Sequence, residues 1–177
     1  YGPGVSERLI SEALSPYADD LVIATKGGLQ RNRDGDWLKS GHPDTLRNAH
    51  LCSLDRLGVD CIDLYQYHRV DPDVDLEDSV AALAELKDDG EIRHVGLSNV
   101  SAEQLERAQD IVDIATVQNQ YNLGNRESED VLEICESEDI GFIPWFPLGA
   151  GDLGSKADVL ESVADAHDAS QYQVALA

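Results

Sequence analysis

Five short apolar runs in this chain each lead to a polar, ionisable or aromatic group, and a helix-like stretch follows each run. The runs are LVIATK, ending at Lys26; CIDLYQYH, ending at His68; IRHVGLSN, ending at Ser98 and Asn99; IATVQNQYN, carrying Gln118; and IGFIPWFPLG, carrying Trp145. These landmarks recur about 20 to 40 residues apart, the size of one strand-and-helix unit with loop insertions. Repeated strand–helix units imply parallel strands, because a parallel pair needs a crossover long enough to hold a helix. In a parallel βα barrel every C-terminal strand end opens on one face, so groups far apart in sequence meet there. The predicted fold class is α/β, a partial (β/α)8 TIM barrel with about five βα units present; a complete barrel typically needs about 250 residues, and this chain has 177.

The helix-like stretches carry their own signals. SERLISEAL, from Ser6, is a short amphipathic helix ahead of the first strand. Asp44 to Leu57 is preceded by Pro43 and stopped by Gly58, and Leu76 to Asp88 is stopped by Gly90. Ser101 with Gln104 has capping-box spacing at the head of SAEQLERAQDI. Arg126 to Glu138 and Lys156 to His167 are two further acidic amphipathic helices, and QYQVALA opens another. The stretch GGLQRNRDGDWLKSGHPD is rich in Gly and Asp and carries Arg31, Arg33 and Trp37. It reads as a loop on the strand-end face, placed to cover a pocket.

Composition narrows the function classes. A hydrophobic content of 42% suits a globular chain, and no apolar run approaches the roughly 20 residues of a membrane helix. Cys52, Cys61 and Cys135 are scattered, without a CxxC pair, which reads as reduced thiols in a cytoplasm and not as a metal site. The 35 acidic residues outnumber 13 basic ones for a net charge of −22, which disfavours nucleic acid as a partner. The acids are dispersed over the helices, and lysine is confined to Lys26, Lys39, Lys87 and Lys156. That pattern suits a protein kept soluble in concentrated salt, where self-repulsion is screened, and points to a halophile. An ordinary acidic soluble protein is the plainer alternative. The chain has no methionine and opens on Tyr1, so it is expected to be an internal piece of a longer protein.

Three groups point to proton handling. Lys26 emerges from Val22-Ile23-Ala24, which implies partial desolvation; its plain reading is a strand-end lysine whose ammonium snorkels to water. His68 follows Leu64-Tyr65-Gln66-Tyr67, and alone it is as well read as a satisfied structural histidine. Together, at neighbouring strand ends, they favour catalysis. Tyr1 adds a phenol, which acts as an acid near neutrality only when a nearby cation eases proton loss. Such a set suits protonation of a carbonyl oxygen while another group attacks the carbon.

Six motifs in order carry a family resemblance: YGxGxSExxLxxAL at 1–14, VIATKGG at 22–28, DLYQYHRVDP at 63–72, GEIRHVGLSN at 90–99, VQNQYN at 117–122 and WFPLGAG at 145–151. Over nearly its whole length the chain resembles the aldo-keto reductase family, (β/α)8 barrels that bind NADP(H), less often NAD(H), without a Rossmann domain. No GxGxxG follows a strand here, in agreement.

The resemblance implies roles. Tyr1 protonates the substrate carbonyl oxygen, Lys26 lowers the phenol's pKa, and His68 orients and polarises the carbonyl. Ser98, Asn99 and Gln118 hydrogen-bond the nicotinamide carboxamide, and Trp145 stacks on the ring. The backbone of Phe146, Pro147, Leu148, Gly149 and Gly151 passes along the pyrophosphate. The family's catalytic aspartate falls before residue 1, and its adenosine 2′-phosphate site falls after Ala177.

The reading is thus one aldo-keto reductase-like domain over 1–177, truncated at both ends, from an NADP(H)-dependent reductase of aldehydes or ketones. The piece alone is expected to have little or no activity. Its partners are a small carbonyl or alcohol substrate, with no nucleic acid and no membrane, and its oligomeric state is left open. Tryptophan at 145 is similar to the branch that includes potassium-channel β subunits, so the alternative is a cofactor-binding regulatory subunit with little turnover. His68 weighs against it, since that branch lacks the histidine. A third reading is an unrelated barrel in which Lys26 forms a Schiff base.

Overall fold

The computed structural model describes residues 3–149 and 157–177. The chain divides into two compact units, Tyr1–Val117 and Gln118–Ala177.

The first unit follows the expected strand–helix rhythm. It contains α1 (Val5–Leu14), β1 (Ala24–Gly27), β2 (Leu29–Arg31), β3 (Trp37–Lys39), α2 (Pro43–Leu57), β4 (Ile62–Tyr67), α3 (Leu76–Asp88), β5 (Ile92–Ser98) and α4 (Ala102–Gln109), and β6 (Ile114–Gln118) runs to its boundary. The strands lie side by side in the order β1-β4-β5-β6. β1 pairs parallel with β4, Lys26 opposite Gln66, and β4 pairs parallel with β5, Tyr67 opposite Leu97.

A parallel strand covered on both faces reads as an almost unbroken apolar run. β4 shows this: Leu64, Tyr65, Gln66 and Tyr67 are all buried, although their side chains alternate between faces. The helices bury one stripe each. α3 contributes Leu76, Val80, Leu83 and Leu86, at the three- and four-residue spacing of one helix face. α2 begins with Pro43 and ends at Gly58, whose φ of 69° is the left-handed geometry of a helix stop. α4 opens with the full Ser101–Gln104 capping box, both reciprocal hydrogen bonds being present. Between β4 and β6, the Gln66 amide donates to Thr116 Oγ1 at 3.1 Å. A Cβ on Gly96 would fall 2.5 Å from that Thr116 oxygen, so the crossing needs a residue without a side chain.

Two local readings change. β1 starts at Ala24 and not at Leu21; Leu21 and Val22 lie outside it and are exposed. The stretch read as a loop between Gly27 and Asp44 contains an antiparallel hairpin, β2 with β3, in which Arg31 pairs with Trp37.

The second unit contains α5 (Glu129–Ser137), β7 (Gly141–Phe142), α6 (Ala157–Ala166) and α7 (Gln171–Leu176). β7 is much shorter than the apolar run IGFIPWFPLG. Pro144 and Pro147 lack the N–H a ladder needs, so regular pairing stops before Trp145. Trp145 makes an isolated parallel bridge with Gln120 instead, its N–H donating to the Asn119 carbonyl at 2.9 Å. α7 is opened by a second capping box, Ser170 with Gln173. Among the described residues no helix is long and apolar enough to cross a membrane.

Candidate active site

Lys26 sits one residue from the end of β1, and His68 is the first residue beyond β4. Parallel pairing brings the two ends level, and the His68 N–H donates to the Gly27 carbonyl at 2.8 Å. Both side chains line one cleft of about 320 Å3, whose wall also includes Pro3, Gly4, Leu29 and Trp37. The expectation that Lys26 and His68 share a face is met by this geometry.

The cleft sets their charge states. Burial pushes the Lys26 ammonium below its ordinary pKa, and among the described residues no carboxylate pairs with it to oppose that shift. Burial is also the main cause holding His68 down at about 4, with the positive charges of Lys26 and Arg69 adding to it. At neutral pH His68 is therefore a neutral imidazole, with one N–H to donate.

The same cleft wall carries a polar anchor, Glu7 with Ser53 and Arg56, held to the strand through Thr25. The Thr25 hydroxyl donates to Glu7 Oε1 at 2.7 Å, and the other Glu7 oxygen pairs with Arg56 Nε. Burial alone would raise the Glu7 pKa, but hydrogen bonds from Arg56, Ser53 and Thr25, with the Arg56 charge, hold it below its ordinary value. This ionised carboxylate fastens α1 and α2 to the strand that carries Lys26.

Ser98 ends β5 and is buried, and Asn99 follows in a left-handed conformation with φ of 58°. The Asn99 amide donates to Ser98 Oγ at 2.8 Å and to the His68 carbonyl at 3.1 Å, tying the ends of β4 and β5 together. The first unit thus brings Lys26, His68, Ser98 and Asn99 to one edge of its sheet.

In the second unit Gln118 is the last residue of β6, and Trp145 lies alongside the chain that continues from it. Phe146 is also left-handed, at φ 62°. Its carbonyl accepts from the Asn122 amide and from the Gly149 N–H, both at 3.0 Å, which closes a turn over Pro147, Leu148 and Gly149. Among the described residues, four non-glycine residues have positive φ. Asp139 and Asp168 follow the ends of α5 and α6, where the left-handed conformation ends helices. Asn99 and Phe146 do not, and such strain, typically about 1–3 kcal/mol, gathers at binding sites. Tyr1 and Gly151 lie outside the described residues.

The place of Trp37 in the cleft wall was missed as a specific contact. The only signal for it was an aromatic residue within a polar stretch near Lys26.

The chain is 47% identical over 176 residues to an uncharacterised oxidoreductase of Schizosaccharomyces pombe, covering 99% of this chain and 57% of that protein. It is 37% identical over 183 residues to pyridoxine 4-dehydrogenase of Escherichia coli, covering 100% of this chain and 64% of that one. Among solved structures it matches an aldo/keto reductase from Klebsiella pneumoniae in complex with NADP and acetate. That match has a TM-score of 0.77 and 26% identity, covering 98% of this chain and 60% of that one. The chain therefore spans less than two thirds of the length of these relatives. The solved relatives are (β/α)8 barrels, and the chain covers part of that barrel. The model of the Aldo/keto reductase family matches all of residues 1–177. With strand-end groups carried on parallel βα units and a family match over its full length, the chain belongs to the aldo/keto reductase family.

Proposed function

We propose that the protein containing this chain is an NADP(H)-dependent oxidoreductase that reduces aldehydes or ketones to alcohols. The carrying observation is the cleft that holds both a desolvated Lys26 and a neutral His68. NADP(H) is preferred over NAD(H) on the strength of the NADP complex of the Klebsiella relative. The residues present fit a nicotinamide: Ser98 and Asn99 are hydrogen-bonding side chains fixed at a strand end, with Asn99 on a strained backbone. In the second unit, Gln118, Trp145 and the turn from Phe146 to Gly149 offer amide, aromatic and backbone groups of the kind that a nicotinamide nucleotide takes. When bound, the cofactor supplies the hydride.

The chain's own groups handle the proton and the orientation. The neutral His68 donates a hydrogen bond to the carbonyl oxygen, holding it in the cleft and drawing electron density from the carbon. Tyr1 gives its phenolic proton to that oxygen as the carbon accepts hydride, so the product is an alcohol and the phenolate is reprotonated from water. The Lys26 ammonium stabilises the phenolate. Cys52, Cys61 and Cys135 are all free thiols, which supports a cytoplasmic setting.

The test is carbonyl-dependent NADPH oxidation by the protein and its Tyr1→Phe variant. The variant is expected to lose about 10²- to 10⁴-fold in kcat while its affinity for NADPH stays unchanged, since the phenol acts in the transition state. Activity surviving within a few-fold would remove Tyr1 from the role of acid. Tight NADPH binding with no turnover of any carbonyl would favour the regulatory-subunit reading.

A further inference from the structure

The sheet face that carries Lys26 is polar at a level where a barrel interior is ordinarily filled by Val, Ile and Leu. Lys26 on β1 lies opposite Gln66 on β4, and Gln66 lies opposite Gly96 on β5. A Cβ on Gly96 would fall 2.5 Å from Thr116 Oγ1 and 2.8 Å from Gln66 Cγ, so Thr116 of β6 continues the same row. The row therefore reads Lys, Gln, Gly, Thr. Side chains return to one face every two residues, so His68 and Ser98 come next on this face after Gln66 and Gly96. The polar row is the floor beneath them.

Gln66 is 2% exposed, and burying an amide is costly unless it is hydrogen-bonded. Its Nε2 donates to Thr116 Oγ1 at 3.1 Å, a bond that passes over β5 and links β4 to β6. An apolar pair of the same shape would need no such bond, and replacing both partners of a buried hydrogen bond is close to neutral for stability. What an apolar pair lacks is direction: a hydrogen bond has a preferred length and angle, and hydrophobic contact does not. Departures from an apolar core gather at functional sites.

We propose that Gln66 is a positioning residue for carbonyl reduction, whose bridge to Thr116 fixes the end of β4 and so holds the His68 imidazole against the substrate oxygen. Gln66 acts through the strand and not by touching the substrate. Placement at this level matters, because a shift of about 1 Å in a reacting geometry can cost about 10²-fold in rate. This inference rests on the carbonyl-reductase reading above.

The experiment follows kcat, KM and melting temperature with benzaldehyde and NADPH in the protein containing this chain. The variants are Gln66→Leu, Thr116→Val, the two combined, and Thr116→Ser. Each single apolar variant leaves one polar partner unpaired. It is expected to lower the melting temperature and to lower kcat about ten-fold, with the NADPH KM within about two-fold. In the double variant both polar partners are gone, so the melting temperature returns towards wild type while kcat stays about ten-fold down. Thr116→Ser keeps the hydroxyl and should keep kcat within about two-fold. Recovery of kcat together with the melting temperature in the double variant would show the bridge to be structural only and overturn the proposal. Single variants at wild-type kcat would overturn it as well. Should Gln66→Leu not fold, Thr116→Val breaks the same bond from a half-buried position. A readout without turnover separates this inference from the reductase reading. The His68 imidazole NMR signal, assigned by its loss in His68→Asn, should shift in both single apolar variants and in the double variant, and not in Thr116→Ser. Such shifts in a protein that reduces no carbonyl would sink the reductase reading and keep the bridge as what places His68. Wild-type turnover, with a His68 signal and a kcat indifferent to residue 66, would do the reverse.

Discussion

His68 shows how one residue joins the cleft to the stability of the fold. Its ordinary pKa is 6.5, and burial with two neighbouring cations lowers it to about 4. Between those values the unfolded chain takes up a proton that the folded chain refuses, so unfolding gains ground as pH falls. The stability tied to neutral His68 is fully present above pH 6.5 and is lost as pH drops towards 4. His50, on the buried face of α2 and also shifted down mainly by burial, acts in the same direction. Urea unfolding at pH 7 and pH 5 should show lower stability at pH 5. The fall should stay below the limit of about 1.4 kcal/mol per pH unit per proton, because the partly open cleft screens His68. In His68→Asn the pH 7 to pH 5 difference should shrink. An unchanged difference in that variant would mean His68 is not the group being titrated.

At the scale of elements, the hairpin and the strands around it were legible to very different degrees. α3 was readable to its last residue, because its buried positions fall at helical spacing and Gly90 follows its end. β4 and β5 were readable because strands buried on both faces carry long apolar runs. Lys26, His68, Ser98 and Asn99 could be named in advance because each sits where such a run gives way to polar residues. The β2–β3 hairpin had no such signal: each strand has three residues, and most are exposed. What holds it comes from far along the chain, from Asp71, thirty residues beyond Gly41. Trp37 enters the cleft only because of that folding, so its place there could not be read from periodicity. β7 erred the other way: its apolar run was readable, but the prolines within it ended the ladder early.

The same clamp makes an element-level prediction. Asp71→Ala leaves the buried Gly41 N–H without its acceptor, an omission that typically costs about 1–3 kcal/mol. The loss should be local. Hydrogen exchange should speed up from Gly28 to Gly41, while the amides joining β4 and β5 keep their protection. Asp71→Asn retains a side-chain oxygen as an acceptor and should fall between the two. Uniform loss of protection across β4 and β5 in Asp71→Ala would show that the carboxylate supports the whole sheet and not the hairpin.

For the whole molecule the dominant quantity is charge. With 35 acidic residues against 13 basic ones, most carboxylates have no cation available to them, whatever the local geometry. The cations present are already engaged in part: Arg107 with Glu77, Arg47 with Glu85 and Asp44, and Arg126 with Glu129. Such exposed pairs contribute little each, about 0 to 1 kcal/mol, and cannot offset repulsion among the remaining carboxylates. Concentrated salt can, because the Debye length contracts from about 10 Å at 0.1 M to about 3 Å at 1 M, and repulsion between exposed charges is screened accordingly. The apolar core is of ordinary composition and gains as well when an excluded salt raises the effective strength of burial. We therefore expect a halophilic profile, with the melting temperature climbing steeply from dilute buffer to roughly molar salt. Comparing KCl with an uncharged osmolyte such as sucrose separates the two causes. Sucrose strengthens burial without screening, so a charge-driven effect should appear with KCl and be much weaker with sucrose. A melting temperature that is flat in KCl would mean that the acidic surface is spaced widely enough to be harmless, and would return the chain to the ordinary acidic class.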